Sequence, residues 1–163
     1  MLSIRQILSP IDFSPLSLHA LEVAQDIAKK YGGEILLLHI TPVISDLPDS
    51  VSIRDEGKYE NAQIRDAKKQ LADLAAKLQR AGIQASTNVA LSNDPGMEIV
   101  RNSENADIIV IATHGMTGWR NIAFGSVAKE VVENATCPVL VLRAKAAANS
   151  AESAAKAAAP ISA

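Results

Sequence analysis

The sequence predicts an α/β fold: a five-stranded, parallel, doubly wound sheet of the Rossmann-like type, with strand order 3-2-1-4-5 and helices on both faces. Short apolar runs alternate along the chain with longer segments whose apolar residues recur at helical spacing. The run at residues 35–40 is continuously apolar apart from one histidine, which is typical of a strand covered on both faces. Parallel strands joined by helical crossovers produce such a sheet.

The composition predicts one globular domain at residues 1–143, followed by an Ala-rich tail at 144–163 that we expect to be disordered. The net charge of -2 argues against a nucleic-acid partner, which needs a concentrated basic surface. No window approaches the roughly 20 apolar residues of a membrane span. The N-terminus leads directly into a strand pattern without room for a signal peptide. These features predict a cytoplasmic protein that has no membrane partner.

The first half of the chain is predicted to supply two strands and the helix between them. After an apolar strand at 4–10, Ser14 and Pro15 provide a hydroxyl cap and a proline at the first helical position. Gly32 and Gly33 end this helix before the strand at 35–40. Its predicted buried face consists of Leu16, Ala20, Val23, Ala24, Ile27 and Tyr31. Residues 41–58 are irregular, either a lid over a ligand or, as we favour, a solvated loop.

The second half is predicted to complete the sheet with three strands and three helices. A helix from about Asn61 to Gly82 is followed by a strand at 84–91, and Asp94 with Pro95 then begins a helix that reaches 105. Strand four spans 107–112, a helix follows at 126–134, and the fifth strand lies at 139–142. The buried stripe of the long helix is predicted to be Ile64, Ala67, Leu71, Leu74 and Leu78. The single cysteine, Cys137, is interpreted as a small buried residue rather than a reactive thiol.

Ligands of doubly wound sheets bind outside the carboxyl ends of the strands, where the winding direction reverses. This rule selects Asp12 at the end of strand one, His39 and Ile40 at the end of strand two, and Ala112 at the end of strand four. Asp12 and Ala112 are about a hundred residues apart in sequence, and the predicted topology makes them neighbours.

The connection at 112–126 contains three of the eight glycines: Gly115, Gly118 and Gly125. Glycine lets a backbone approach a ligand and direct its N–H groups toward it, and the following helix N-terminus adds partial positive charge. The sequence therefore predicts an anion-binding loop between strand four and the last helix.

Three side chains at this edge carry alternative roles. Asp12 accepts hydrogen bonds from a ribose, binds a metal, or caps the turn ahead of the first helix. His114 contacts a phosphate or, as we favour, only fixes the loop. Ser126 caps the last helix, binds a phosphate oxygen, or does both.

Several established nucleotide-binding and catalytic patterns are missing from the sequence. No glycine follows strand one, which excludes the G-x-G-x-x-G fingerprint there, and there is no G-x-x-x-x-G-K-[ST] motif. A receiver domain would need an aspartate after strand three, where Asp94 is better explained as the cap of Pro95. There is also no G-x-S-x-G elbow and no metal-ligand histidine pair.

Three segments resemble the universal stress protein family. They are residues 7–14 (ILSPIDFS), residues 113–128 (THGMTG through FGSVA) and residues 137–142 (CPVLVL), and the similarity extends over residues 3–143. The resemblance implies a cytoplasmic α/β protein, associated with stress responses, that in many members binds ATP. It also implies a homodimer joined through the fifth strand, Val139–Leu142.

The ATP-binding branch of this family is marked by G-x-x-G, nine residues and G-[ST]. This spacing is matched by Gly115, the nine residues 116–124, and then Gly125 with Ser126. The first glycine of the pattern is replaced by Ala112. The extra methyl is tolerated at a strand end, weakens binding, or shifts the specificity among nucleotides. The resemblance implies that Asp12 holds the ribose, that Pro10, Ile11 and Ile40 border the adenine, and that Gly115, Gly125, Ser126 and Val127 contact the phosphates.

The sequence thus favours a stress-response regulator or adaptor that binds ATP, with Mg²⁺ or Mn²⁺ held through the phosphates. We assign no catalytic residue, because neither a general base nor a Walker-type lysine is evident, and we expect at most slow ATP hydrolysis. One alternative is a nucleotide-free dimeric adaptor of the same fold. A less favoured alternative is a hydrolase or transferase that uses Asp12 and His114.

Overall fold

The computed structural model describes residues 3–43, 53–113 and 125–143. Within these ranges strands and helices alternate, all strand pairs are parallel, and the strand order is β3-β2-β1-β4-β5, which confirms the predicted fold class. The strands are β1 (Gln6–Pro10), β2 (Glu34–Thr41), β3 (Ala85–Leu91), β4 (Ile108–Ala112) and β5 (Val139–Leu142). The helices are α1 (Pro15–Tyr31), α2 (Ile53–Arg80), α3 (Pro95–Asn102) and α4 (Ser126–Asn134).

Two predicted features cannot be compared with this structure. The Ala-rich tail at 144–163 lies outside the described residues, as does the 44–52 part of the predicted irregular connection. Among the helices that are described, none is long and apolar enough to cross a membrane.

The core is divided by the sheet into two clusters. The first cluster lies between the sheet and helices α1 and α2, and the second lies between the sheet and helices α3 and α4. Neighbouring residues of one strand alternate between them, so that Ile7 belongs to the first cluster and Leu8 to the second. Both side chains are fully buried, which is why the inner strands are continuously apolar.

Helix α1 begins as predicted and buries part of the predicted face: Ala20 and Ala24 are buried, and Val23 and Ile27 pack partly against the first cluster. The hydroxyl of Ser14 accepts a hydrogen bond from the backbone N–H of Ser17 at 3.2 Å, and the helix ends at Gly32 with φ 71°. The buried residues are Ser17, Ala20, Leu21, Ala24 and Ala28. Tyr31, predicted to be buried, is 43% exposed. Alanine recurs at every fourth residue on the buried side of α1, at positions 20, 24 and 28. These small side chains let the helix lie close to the sheet, whereas the larger Tyr31 lies on the exposed side.

Helix α2 begins at Ile53, about eight residues before the predicted start. The expectation that residues 41–58 are irregular is therefore wrong for 53–58. This segment carries no apolar stripe in its sequence, but half of its residues, the arginine, glutamate and lysine, favour helix. Farther along, the predicted residues Ala67, Leu71 and Leu78 are buried, together with Ala75.

Helix α3 ends three residues earlier than predicted. Ser103 is its C-cap, and the Ser103 hydroxyl donates a hydrogen bond to the carbonyl oxygen of Val100 at 2.7 Å. A side chain that bonds back onto the last turn in this way competes with continuation of the helix. The start agrees with the sequence, since Asp94 accepts a hydrogen bond from the N–H of Met97 at 3.1 Å.

Cys137 is half-buried and packs against the second cluster. Burial raises the pKa of its thiol, so the thiolate is disfavoured at neutral pH. This environment agrees with the interpretation of Cys137 as a packing residue.

Candidate functional site

The carboxyl ends of three strands meet where the winding of the sheet reverses. Strand β1 pairs with β2 on one side and with β4 on the other. Beyond the end of β1, the N–H of Ile11 donates to the carbonyl oxygen of Leu38 at 2.8 Å. Beyond the end of β4, the N–H of Thr113 donates to Leu142 at 2.8 Å. The edge therefore brings together the predicted residues Pro10, Ile11, Asp12, Ile40 and Ala112.

The turn after β1 is built around Asp12. One carboxylate oxygen of Asp12 accepts a hydrogen bond from the N–H of Ser14 at 3.0 Å, and the side chain is partly buried. The intervening residue, Phe13, has φ 63°, a left-handed conformation that is uncommon for a bulky side chain. Asp12 therefore performs the turn-capping role that was one of its predicted alternatives. The ribose and metal roles remain predictions.

His39 contacts this turn from strand β2. Its Nδ1 atom lies 2.7 Å from the carbonyl oxygen of Ile11, and the ring centroids of His39 and Phe13 are 4.8 Å apart at an interplanar angle of 37°. The sequence placed His39 at this edge without a role. The signal that distinguishes it is a histidine inside an otherwise apolar strand, where a polar ring needs a hydrogen-bond partner.

The side chains of Ala112 and Ile40 pack on opposite faces of the sheet. The methyl group of Ala112 packs against the first cluster, whereas Ile40 packs against the second. Both residues are partly buried. The group that distinguishes Ala112 from glycine is therefore already in contact with the core.

The start of α4 is tied to the end of β4. The N–H of Gly125 donates to the carbonyl oxygen of Thr113 at 2.9 Å, and Thr113 is buried. This bond holds together the two residues that flank 114–124, a range that lies outside the described residues. His114 and Gly115 fall in that range, so their predicted contacts stay predictions.

Ser126 does not cap helix α4, and that prediction is wrong. The N-cap is Gly125, which has no side chain, and α4 makes no side-chain capping bond. Ser126 is instead the first residue of the helix and is exposed, while Val127 packs partly against the second cluster. Backbone N–H groups in the first turn of a helix have no partner within the helix, and in the described part of the chain no side-chain cap satisfies them.

Helix α4 packs tightly on α3 through Gly96 and Glu130. A Cβ on Gly96 would overlap the Glu130 carboxyl, so glycine is required for this approach. Burial raises the pKa of Glu130, and the nearby carboxylate of Asp94 raises it further. The contact fixes α4, and with it the helix N-terminus, against the neighbouring helix.

A metal centre built only from side chains is not evident here. Residues 3–43, 53–113 and 125–143 contain no group of three or more histidine, cysteine, aspartate or glutamate side chains that could hold an ion.

Sequence comparisons identify one family. The family model described as the universal stress protein family matches residues 3–143. The universal stress protein MJ0531 of Methanocaldococcus jannaschii is 33% identical over 147 residues, with 85% of this chain and 82% of that protein covered. The universal stress protein YxiE of Bacillus subtilis is 30% identical over 152 residues, covering 85% of this chain and 98% of that protein.

Solved structures show the same fold. The protein MJ0577 of M. jannaschii superposes with a TM-score of 0.74 at 26% identity, covering 87% of this chain and 97% of that one. A universal stress protein from Archaeoglobus fulgidus, solved in complex with dAMP, gives a TM-score of 0.61 at 22% identity, covering 86% and 98%. A further universal stress protein structure, in complex with cAMP, gives a TM-score of 0.62 at 17% identity, also covering 86% of this chain and 98% of that one.

Proposed function

Because the chain belongs to the universal stress protein family, we propose that it binds an adenine nucleotide, with ATP favoured, at the joined carboxyl ends of β1, β2 and β4. The observation that carries the proposal is the position of the uncapped N-terminus of α4, which the Gly125–Thr113 bond holds at the end of β4, next to β1. The complexes of two relatives with dAMP and with cAMP support an adenine nucleotide as the class of ligand.

The ribose is assigned to Asp12. One of its carboxylate oxygens accepts the Ser14 N–H, which orients the group. An ionised carboxylate accepts several hydrogen bonds, so this contact leaves acceptor capacity for a hydroxyl. The partly buried Pro10 and Ile40, together with the buried Ile11, supply an apolar border for the adenine.

The phosphates are assigned to the start of α4, with Gly115 contributing from the preceding segment as the family pattern implies. His114 either contacts a phosphate or, as we favour, fixes the loop. The N–H groups of Ser126 and Val127 lie at a helix N-terminus, where partial positive charge favours an anion. The N–H of Gly125 is donated to Thr113, so Gly125 contributes by its lack of a side chain, which lets a phosphate approach the backbone. The exposed hydroxyl of Ser126 adds a donor, since it is not used as a cap. Val127 contributes through its backbone, because its side chain packs partly against the core.

Ala112 is compatible with this site. The methyl group that replaces the first glycine of the family pattern packs against the first cluster, on the face of the sheet opposite to Ile40. We therefore assign it a packing role and expect it to leave the nucleotide site open.

In the cell, this function is that of a cytoplasmic stress-response regulator or adaptor, with hydrolysis slow or absent. A divalent cation, Mg²⁺ or Mn²⁺, would be held through the phosphates. We propose that the domain covers residues 1–143 and that the tail at 144–163 is dispensable for binding.

We further propose a homodimer formed through β5. This strand is at the end of the sheet and pairs within the chain only with β4 among the described residues. Leu140 in its centre is 39% exposed. An apolar edge strand with unpaired backbone groups favours pairing with a second copy.

The test is to purify the protein without added nucleotide, denature it, and look by mass spectrometry for released ATP, ADP or AMP. Calorimetry with ATP and Mg²⁺ follows, on the wild type, Asp12→Ala and Gly125→Val. The matched control is Asp26→Ala, which removes an exposed carboxylate from α1. Absence of nucleotide and of binding in the wild type would overturn the proposal, and normal binding by either site variant would overturn the assigned residues.

A nucleotide-free dimeric adaptor is the second candidate, which the exposed β5 edge favours and the glycine-to-alanine departure at Ala112 allows. It predicts a wild-type dimer that shows no heat of binding with ATP. Light scattering and calorimetry on the same sample separate the two candidates.

A further inference from the structure

His39 contacts both neighbours of Asp12. Its Nδ1 atom is 2.7 Å from the carbonyl oxygen of Ile11, the residue before Asp12. Its ring lies against the ring of Phe13, the residue after Asp12, at a centroid distance of 4.8 Å. A single side chain of β2 therefore holds the turn on either side of the carboxylate.

The contact with Ile11 requires a particular tautomer. A carbonyl oxygen can only accept a hydrogen bond, so Nδ1 of His39 carries the proton. In the neutral ring the other nitrogen, Nε2, is then an acceptor. Ile11 is bound to β2 at both of its backbone polar groups, because its own N–H donates to Leu38 at 2.8 Å.

The turn needs such support because of the backbone at Phe13. With φ 63°, Phe13 occupies the left-handed region, which costs free energy for a residue that has a Cβ. Such a conformation persists only where the surroundings hold it. The surroundings here are the Asp12–Ser14 hydrogen bond, the Ile11–His39 hydrogen bond and the packing of Phe13 on His39.

We propose that His39 is a positioning residue that sets the orientation of Asp12 for the ribose, acting through the Ile11 carbonyl group and the Phe13 ring. The inference rests on the proposed function, since it takes Asp12 as the ribose contact. His39 itself is given no contact with the nucleotide. Its effect on affinity passes through the Asp12 carboxylate.

The variants His39→Asn and His39→Gln form a matched pair. An asparagine amide nitrogen lies near the position of Nδ1, whereas a glutamine amide nitrogen lies near that of Nε2. Both variants lose the ring contact with Phe13, and they differ in whether a donor faces the Ile11 carbonyl oxygen. By calorimetry, we expect His39→Gln to bind ATP about three- to tenfold more weakly than His39→Asn, the usual net effect of one hydrogen bond.

The ribose dependence separates positioning from a merely structural role. With 2′,3′-dideoxy-ATP, which lacks the hydroxyls that Asp12 would hold, the two variants should bind equally. In an Asp12→Ala background they should also bind ATP equally. If their difference persists with the dideoxy nucleotide or without Asp12, or if they bind ATP alike in the presence of Asp12, the inference is overturned.

A ligand-free measurement tests the same geometry without the nucleotide. Imidazole ¹⁵N spectra of the wild type should show the neutral ring of His39 protonated at Nδ1, and a ring protonated at Nε2 would overturn the inference. If the wild type binds no ATP, the proposed function and the ribose role both fall. Wild-type binding with no difference between the variants overturns only the role of His39.

Discussion

Asp107 and Gln6 are joined by two hydrogen bonds in opposite directions. The N–H of Asp107 donates to the carbonyl oxygen of Gln6 at 2.8 Å, and the N–H of Gln6 donates to Oδ2 of Asp107 at 2.9 Å. The same carboxylate oxygen accepts the N–H of Arg5 at 2.7 Å. One side chain therefore fixes the start of β1 beside the start of β4, and this places their carboxyl ends side by side at the candidate site.

The first prediction concerns Asp107→Asn. Hydrogen bonds from the N–H groups of Gln6 and Arg5 lower the pKa of the Asp107 carboxyl below its usual 3.8. A carboxyl group whose pKa is lower in the folded than in the unfolded state stabilises the fold at pH values above the unfolded-state pKa. This stabilisation is lost as the pH falls through the folded-state pKa. We expect a lower melting temperature for the variant at pH 7, and a smaller difference from the wild type below about pH 3.8.

The control for Asp107 is Glu104→Gln, which removes an exposed carboxylate nearby. It should change the melting temperature little at either pH. A deficit of Asp107→Asn that stays the same from pH 7 to pH 3 would contradict the assigned hydrogen bonds.

Glu130→Gln should raise the melting temperature at pH 7, whereas Asp107→Asn should lower it. Burial and the neighbouring Asp94 carboxylate raise the pKa of Glu130 above its usual 4.5. A carboxyl group whose pKa is raised by folding contributes its whole stabilisation at pH values below the unfolded-state pKa. This contribution is lost as the pH rises through the folded-state pKa. Glutamine mimics the protonated form, so the variant should melt at a higher temperature than the wild type at pH 7. The gain should vanish at acidic pH, and the exposed Glu34→Gln should show no such gain.

Gly33→Ala tests the close packing between the end of α1 and the start of β1. A Cβ at Gly33 would lie 2.8 Å from the carbonyl oxygen of Ile4 and 3.3 Å from that of Arg5. Backbone atoms cannot move aside easily, so we expect a loss of about 1–3 kcal/mol in the free energy of unfolding by denaturant titration. The neighbouring Gly32→Ala meets nothing within 4 Å but has φ 71°, and should cost about 1 kcal/mol. Equal stability of Gly33→Ala and wild type would contradict the packing.

The order and type of every described element could be predicted because periodicity and caps are local signals. Ser14 with Pro15, and Asp94 with Pro95, mark helix starts that the structure confirms. The early start of α2 at Ile53 was missed because helix propensity without an apolar stripe resembles a polar loop in sequence. The buried face of α1 was predicted correctly at Ala20 and Ala24 and wrongly at Tyr31, because which residues at the rim of the face are covered depends on how the helix lies on the sheet.

The candidate site was predictable in its location and less so in its details. Topology alone brings Asp12 next to Ala112, since strand ends meet at the reversal of winding. The capping alternative for Ser126 was wrong because Gly125, one position earlier, is the N-cap of α4; the phosphate role of Ser126 stays a prediction. The position of His39 in an otherwise apolar strand is visible in the sequence, but its partner is not, because the Ile11 carbonyl oxygen lies 28 residues away along the chain.

Leu140→Arg tests the β5 interface. The leucine is 39% exposed on one edge strand, and a charge there opposes the burial of that edge against a second copy. We expect the wild type to elute as a dimer and the variant as a monomer in light scattering at the same concentration. Leu91→Arg is the matched control on the opposite edge strand, β3, where the leucine is 43% exposed. A dimer lost equally in both variants would count against β5 as the interface.

Ala112→Gly decides whether the methyl group at the start of the family pattern governs nucleotide binding. Since this methyl packs against the first cluster, its removal should lower the free energy of unfolding by about 0.5–1 kcal/mol, the usual cost of glycine in a strand. For the same reason, the affinity for ATP measured by calorimetry should change by less than about threefold, which is within about 0.7 kcal/mol. A tenfold gain in affinity would instead mean that the methyl obstructs the ligand, and the assigned packing role would be wrong.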